Sequence, residues 1–153
     1  MDVKIVVFPE TKVAVLEHHG PQHLEPASIQ RFIAWRRENQ FPLDKHQNYG
    51  LHYNDPRTTP PEDYRVDLCI SVEQEVPENR YGVVNKVIPE GRCAVARHVG
   101  SREDIIAARF LYEEWLPGSG EVMRDYPILF HYVNVGPGVL EEEMITDVYL
   151  PLV

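Results

Sequence analysis

The amino-acid sequence repeats itself with an offset of 80 residues. Between positions 13–35 and 93–115, six of 23 aligned residues are identical, where average residue usage predicts about one or two. The identical pairs are Ala14/Ala94, Val15/Val95, His18/His98, Gly20/Gly100, Ala27/Ala107 and Trp35/Trp115. One structural unit therefore occurs twice, and we predict two halves, at about 1–75 and 80–153, related by a pseudo-two-fold axis.

Both halves have the same predicted order of elements, strand-strand-helix-strand-strand. β-branched residues and turn signals predict strands at 3–7, 12–19, 48–53 and 66–72, with a helix at 25–39. The second half is predicted to have strands at 85–88, 94–99, 128–133 and 146–152. Its helix is predicted to start at a Ser101 hydroxyl cap and to stop at Pro117-Gly118.

This order of elements indicates an α+β fold of tandem modules, with mostly antiparallel sheets and helices on one face. One helix cannot cover both faces of a four-stranded sheet, so the uncovered faces must pack against something else. Two modules placed side by side would form a groove between them, and ligands prefer such interfaces.

Alternation along the strands selects candidate groove residues. A one-residue gap aligns His52-Tyr53 with His131-Tyr132, so that Tyr49, Leu51 and Tyr53, which share one face, have Ile128, Phe130 and Tyr132 as repeat partners. We predict that these four rings line the groove, together with Asp147 and Trp115. Such a groove suits a flat apolar ligand, with or without a positive charge. The alternative is that the rings are half-buried strand residues and that Trp115 belongs to the core.

Composition excludes several classes of function. Lys and Arg number 15 against 24 Asp and Glu, a net charge of -9, which argues against direct DNA binding. No run approaches the ~20 apolar residues of a membrane helix, and the first residues lack the features of a secretory signal. Cys69 and Cys93 lie in apolar stretches without metal-ligand or redox spacing. We therefore expect free thiols, a cytoplasmic location and no cofactor.

Three histidines lie close together at His18, His19 and His23. A helical i, i+4 pair could bind zinc, but Gly20-Pro21 prevents a helix at this point. Because His18 recurs as His98, we favour a structural role at the strand-to-helix turn and predict no metal site.

Several motifs together resemble the GyrI-like small-molecule-binding family. They are Tyr49-Gly50-Leu51-His52-Tyr53-Asn54-Asp55-Pro56 followed by Thr59-Pro60 and Arg65-Val66-Asp67, then Gly91-Arg92-Cys93-Ala94-Val95, His98-Val99-Gly100, Trp115-Leu116-Pro117-Gly118-Ser119-Gly120 and Thr146-Asp147-Val148-Tyr149-Leu150-Pro151-Leu152. The motifs occur in order and cover nearly the whole chain. The resemblance implies a duplicated strand-helix-strand-strand module with a ligand groove between the halves.

The resemblance also implies a range of functions. The family includes effector-binding domains of AraC-type and MerR-type regulators, stand-alone drug-binding proteins, a protein inhibitor of DNA gyrase, and hydrolases of cyclopropane-bearing toxins. The motifs leave no segment for a helix-turn-helix, so we expect a free-standing effector-binding domain.

One position departs from the family pattern. Many members have Pro-x-Phe-Glu-x-Tyr in the penultimate strand, where the glutamate meets cationic drugs or acts in hydrolysis. Here Phe130 occupies the glutamate position and Tyr132 the tyrosine position. We therefore favour non-catalytic binding of an amphipathic aromatic molecule. The alternatives are a hydrolase that uses Asp147 and a groove tyrosine, and an acidic protein that binds gyrase or a similar enzyme.

Overall fold

The computed structural model describes residues 1–41 and 45–153. Its strands are β1 Val3–Phe8, β2 Thr11–His19, β3 Asn48–His52, β4 Arg65–Ser71, β5 Val84–Ile88, β6 Gly91–Val99, β7 Ile128–Tyr132 and β8 Ile145–Pro151. The first helix, α1, is Glu25–Glu38. The second helix, 106–119, is continuous and consists of α2 Ile106–Phe110, a π-helical turn Leu111–Trp115 and α3 Leu116–Ser119. The α+β prediction is confirmed.

The eight strands form one antiparallel sheet in the order β1-β6-β8-β7-β3-β4-β2-β5. Repeat-related strands take equivalent places on either side of the β3–β7 pair. The first strand of each half is exchanged: β1 pairs with β6, and β5 pairs with β2. Each half of the sheet therefore contains one strand from the other half of the chain.

The pairing of β1 with β6 continues as the pairing of β2 with β5, past the short connections between β1 and β2 and between β5 and β6. Its register goes from Val3↔Ala96 to Phe8↔Gly91 and resumes from Thr11↔Ile88 to Val15↔Val84 without a shift. Pro9-Glu10 connects β1 to β2, and Pro89-Glu90 connects β5 to β6. The ladder thus links the two outer ends of the sheet.

The two helices begin and end for different local reasons. Helix α1 has Pro26 in its first turn and arginines in its last turn, both of which suit helix geometry and dipole. The second helix starts at Ile106, later than predicted. The Ser101 hydroxyl accepts a hydrogen bond from the Glu103 N–H at 3.2 Å, but this bond caps only a turn before the helix. It also runs past Pro117, which follows the π-helical turn Leu111–Trp115 by two residues. It ends at Gly120, whose φ is 76°.

Both faces of the central strands pack against core clusters, whereas the outer strands β1 and β5 expose Ile5, Val7, Val84 and Val87. Ile70 and Leu68 of β4 pack under α1 with Phe32 and Trp35, and Val148 and Leu150 of β8 pack under the second helix, as the alternation predicts. On the opposite face the central strands meet the exchanged strands in a third cluster. Its members are Phe8, Val13, Val15, Tyr49, Leu51, Cys69, Ile88, Cys93 and Leu129. The uncovered face is therefore core.

The central strands correct the predicted alignment of the repeat. Gly50 pairs with Phe130, and Tyr49 pairs with His131, so the offset of 80 continues without a gap through β3 and β7. A shift of one residue moves a side chain to the other face of a strand. Tyr49 therefore faces the third cluster, whereas Phe130 and Tyr132 face the helices.

Candidate functional site

A cavity of about 670 Å³ opens between the two helices, above the central strands β3 and β7. It lies between the halves, but on the helix-bearing face rather than on the uncovered one. Its walls come from the start of α1, the segments after β3, and the second helix with its preceding turn. The lining residues are Gln22, Glu25, His52, Tyr53, Asn54, Asp55, Pro56, Arg57, Tyr64, Arg102, Glu103, Asp104, Ile105, Ala108, Arg109, Tyr112, Glu113, Ile128, Phe130 and Tyr132.

The floor is built from aromatic rings packed around a glycine. The His52 and Phe130 rings lie 4.2 Å apart between centroids and are tilted by 32°. The Tyr132 side chain crosses over Gly50, where a Cβ atom would lie 2.8 Å from the Tyr132 Oη. Glycine therefore leaves the space that the Tyr132 phenol occupies.

Burial fixes the protonation of the polar groups on the floor. Desolvation lowers the pKa of His52 to about 4, so its ring is neutral at neutral pH. Desolvation also raises the pKa of Tyr132, followed by the charge of Glu25, so the phenol keeps its proton. The Tyr132 Oη and the His52 Nε2 are 3.4 Å apart. The floor thus presents neutral hydrogen-bonding groups.

One end of the cavity carries a carboxylate next to a tyrosine. Glu25, in the first turn of α1, is half-buried and accepts a hydrogen bond from the Tyr64 hydroxyl at 3.2 Å. Desolvation first, and then the Glu25 charge, raise the pKa of Tyr64 above its ordinary value. The Tyr64 hydroxyl therefore stays a donor to the carboxylate.

The rim holds two arginine–carboxylate pairs. Arg57 contacts Asp55 at 3.0 Å, and Arg109 contacts Asp104 at 3.3 Å. Arg57 is also 4.0 Å from Glu113. These exposed pairs cancel charge locally but contribute little to stability.

The remaining wall of the cavity is mainly apolar. Ala108 belongs to the second helix, and Ile105 is the residue before it. Both pack against the core under that helix. Tyr112 comes from the π-helical turn, a local widening of the helix that often occurs at functional sites. Burial raises the pKa of Tyr112, so it is a neutral ring.

The structure brings three of the six predicted site residues together at the cavity: Tyr53, Phe130 and Tyr132. Phe130 and Tyr132 belong to the floor. Tyr53 reaches toward the opposite face, where its hydroxyl donates to the buried Asp67 at 2.8 Å and the Arg65 guanidinium carbon lies 4.1 Å from its ring centroid.

The other three predicted residues lie away from the cavity lining. Tyr49 is buried against Phe8, with ring centroids 5.9 Å apart. Trp115 packs against the core under the second helix. Asp147 accepts two hydrogen bonds from Arg97, at 2.8 and 3.0 Å.

Sequence reasoning did not single out Glu25, Tyr64, Arg102 or His52 as site residues. Arg102 and Glu25 lie beside the two helix starts, which the repeat identifies as equivalent regions. His52 lies within the motif that carries the family resemblance, next to Tyr53. Only Tyr64, a single residue before β4, had no signal in the sequence.

Two further findings bear on the class of protein. Across residues 1–41 and 45–153, no group of three or more His, Cys, Asp or Glu side chains is placed to hold a metal ion. His18 and His98 contact the carbonyl oxygens of Pro21 and Ser101, at 3.1 and 2.8 Å, in equivalent turns. In the same described residues, no helix combines the length and the apolar character needed to cross a membrane.

Duplicated fold, central cavity and aromatic floor together define a small-molecule-binding domain. Comparison with known families agrees, since residues 1–153 match the model of the GyrI-like small molecule binding domain. The chain belongs to the GyrI-like family. The predicted resemblance is confirmed.

Relatives of known name cover the chain almost completely. It is 47% identical over 154 residues to a "Probable transcriptional regulator YgiV" of Escherichia coli (strain K12), covering 99% of this chain and 96% of the relative. It is 29% identical over 160 residues to a "DNA gyrase inhibitor" of Erwinia billingiae (strain Eb661), covering 99% and 97%.

Solved structures share the fold at low identity. The EcmrR C-terminal domain superimposes with a TM-score of 0.77 at 14% identity, covering 99% of this chain and 97% of that one. In the EcmrR–DNA complex the match covers 99% of this chain and 57% of that one, with a TM-score of 0.77 and 15% identity. SAV2435 bound to tetraphenylphosphonium matches with a TM-score of 0.63 at 10% identity, covering 100% and 94%.

Proposed function

We propose that this chain binds an amphipathic aromatic small molecule in the cavity between its helices and does so without catalysing a reaction. The observation that supports this most directly is the cavity itself, about 670 Å³ with an aromatic floor. Ligand pockets of drug-sized molecules span about 300–1,000 Å³ and combine apolar walls with a few placed polar groups. A cytoplasmic location stays part of the proposal, because Cys69 and Cys93 are free, buried thiols.

The proposed contacts follow from the geometry of the lining. Phe130 and Tyr132 offer ring surface for stacking, and Tyr53 extends this wall. Glu25 is half-buried beside Tyr64 and is the group we assign to a cationic substituent of a ligand, in the role that the family glutamate has elsewhere. Tyr49, Trp115 and Asp147 lie outside the lining, so this contact set omits them.

Binding without catalysis agrees with the position of the acid proposed as a base. A general base must reach the reacting group. The Asp147 carboxylate is held by Arg97 in a two-point ion pair, outside the cavity lining. Phe130, at the family glutamate position, carries no proton-transferring group.

The proposal is tested by filling the cavity from the second helix. Ala108→Phe adds a phenyl ring to a half-buried wall position, and Ala34→Phe adds the same ring to an exposed position of α1, away from the cavity. Calorimetric titration would compare biphenyl-4-ylmethylamine, a cation, with biphenyl-4-ylmethanol, its neutral match.

We expect saturable binding of at least one compound to the wild type and to Ala34→Phe, and at least a tenfold loss in Ala108→Phe. No binding by either compound, or equal affinity in the two variants, would contradict the proposed site. Preference for the amine would support Glu25 as the ionic contact.

A protein partner is the second candidate, supported by the relative named as a DNA gyrase inhibitor. The net charge of -9 suits a basic site on a nucleic-acid enzyme. Such a complex with gyrase should weaken steeply between low and high salt, because surface charges are screened over about 8 Å at physiological ionic strength. A gyrase complex insensitive to salt would count against this electrostatic interpretation.

A further inference from the structure

Arg102 contributes a guanidinium to the cavity wall that is held entirely by neutral acceptors. Its Nε donates to the Thr146 Oγ1 at 2.8 Å. Its Nη2 donates to the Ile145 carbonyl at 2.7 Å and to the carbonyl and side-chain oxygens of Asn134 at 3.1 and 3.3 Å. These bonds fix the side chain without neutralising its charge.

The other two arginines of the wall are neutralised. Arg57 pairs with Asp55, and Arg109 pairs with Asp104. Within residues 1–41 and 45–153, no carboxylate oxygen lies within 4.0 Å of Arg102, and its Nη1 has no hydrogen-bond partner. Burial lowers the pKa of Arg102, yet an arginine keeps its charge in proteins. A half-buried charge without an ionic partner is costly, and a ligand could supply that partner.

The Tyr132 ring lies against this guanidinium, and the Tyr132 hydroxyl is a second donor group on the cavity floor. The Arg102 Cζ is 5.1 Å from the centroid of the Tyr132 ring. In the described part of the chain, the Tyr132 hydroxyl has a single and long contact, 3.4 Å to His52. The phenol therefore has a proton that it can donate into the cavity. Arginine forms strong, charge-assisted hydrogen bonds to carboxylates, and the Tyr132 hydroxyl on the same floor can add a second hydrogen bond to such a ligand.

We propose that Arg102 binds an anionic group of the ligand, and that the ligand class is an aromatic carboxylic acid in its ionised form. The carboxylate would accept from the Arg102 Nη1 and the Tyr132 hydroxyl, while the aromatic body packs on Phe130, Ile105 and Ala108. This inference rests on the proposed function, because it names an anionic group of the molecule that the same cavity takes. Glu25, on the α1 side, stays the assigned contact of a cationic substituent at the other end of such a molecule.

The other charges of the cavity and of the whole chain oppose the binding of an anion. Five carboxylates and three guanidiniums line the cavity, and the whole chain carries -9. Overall charge would therefore favour a cation, and preference for an anion can only come from a local contact. Two of the lining carboxylates, Asp55 and Asp104, are paired with Arg57 and Arg109, and salt screens the distant charges of the chain over about 8 Å. The direct contact at Arg102 can therefore dominate affinity.

Biphenyl-4-carboxylate and its methyl ester test the inference, because they share one aromatic body and differ in charge. Calorimetric titration of the intact protein at 0.15 M salt would give both affinities for wild type, Arg102→Gln and Arg102→Lys. Arg124→Gln is a matched control: Arg124 is also half-buried, donates to a backbone carbonyl at 3.2 Å and lies near a tyrosine ring, but outside the cavity.

We expect the wild type and Arg124→Gln to bind the carboxylate at least tenfold more tightly than the ester. Arg102→Gln should lose this preference while still binding the ester, and Arg102→Lys should keep part of it because it keeps the charge. Ester binding without preference for the carboxylate in the wild type overturns the inference and leaves the proposed function intact. Equal losses for both ligands in a folded Arg102→Gln also overturn it, because they would show a structural role. Failure of both ligands to bind the wild type overturns the inference, and the titrations with biphenyl-4-ylmethylamine and biphenyl-4-ylmethanol then decide the proposed function separately.

Discussion

Replacing Gly50 with alanine tests whether the floor of the cavity is as tightly built as its geometry indicates. The new Cβ would lie 2.8 Å from the Tyr132 Oη and 3.1 Å from the His52 Nε2, so the tyrosine must shift. Overpacking of this kind costs about 1–3 kcal/mol. The reduced freedom of the unfolded chain offsets about 0.4–1 kcal/mol of this.

The expected net loss in the free energy of unfolding is about 1 kcal/mol, or about 2–4 °C in Tm for a domain of this size. Urea unfolding followed by circular dichroism would measure it in Gly50→Ala, Tyr132→Phe and the double variant. Tyr132→Phe removes the oxygen that the new Cβ would meet at 2.8 Å, and the contacts that remain, at 3.1 and 3.3 Å, need smaller shifts. It should therefore remove most of the cost of Gly50→Ala. Deviations above about 0.5 kcal/mol from additivity are resolvable. Strictly additive effects would refute the close contact.

Two further predictions concern ionisable groups. Because the pKa of His52 is lowered to about 4 in the folded state, while an unfolded histidine titrates near 6.5, the unfolded chain binds the extra proton first as the pH falls. The free energy of unfolding should therefore drop by about 3 kcal/mol between pH 7 and pH 4 on this account. His52→Gln, compared with wild type by urea unfolding at several pH values, should show a smaller drop over this range; an unchanged drop would contradict the prediction. Lys86→Met removes the ammonium 2.9 Å from the fully buried Asp67 and should lower the free energy of unfolding by about 3 kcal/mol. Arg80→Met, which breaks an exposed pair, should lower it by less than about 1 kcal/mol in the same assay. Equal losses would show that burial of Asp67 does not matter.

Local patterns in the sequence predicted most of the elements. Strand boundaries agree within a few residues, and alternation placed Leu68 and Ile70 under α1 and Val148 and Leu150 under the second helix. These features depend on period and propensity, which short segments carry on their own. The fold class followed from the repeat for the same reason.

Long-range features of the fold were beyond such patterns. Nothing in the local sequence of β1 distinguishes pairing with β6 from pairing within its own half, so the strand exchange was not predicted. The gap placed before His131 assigned Tyr49 and Phe130 to the same face, although they lie on opposite faces, because one residue decides the face of a strand. Arg102 and Glu25 come from segments far apart in the chain, and only the tertiary structure brings them to one cavity.

The duplicated scaffold explains how a nearly symmetric fold holds an asymmetric site. Positions 80 residues apart face each other across the cavity, yet their chemistry has diverged. Gln22 is matched by Arg102, Glu25 by Ile105 and His52 by Tyr132; all six line the cavity.

A ligand in such a site meets different groups on the α1 side and on the second-helix side of the cavity. The α1 side offers a carboxylate with the Tyr64 hydroxyl, and the second-helix side offers a guanidinium and apolar surface. An asymmetric amphipathic molecule can therefore bind in one orientation, whereas a symmetric pocket would allow two. Exchanging one matched pair, Glu25→Ile with Ile105→Glu, should leave the aromatic floor intact but reverse the side on which an ammonium group is preferred. Nuclear Overhauser contacts from the ammonium end of biphenyl-4-ylmethylamine to Tyr64 in the wild type, and to the Tyr112 ring in the exchanged variant, would show that reversal, and unchanged contacts would contradict it.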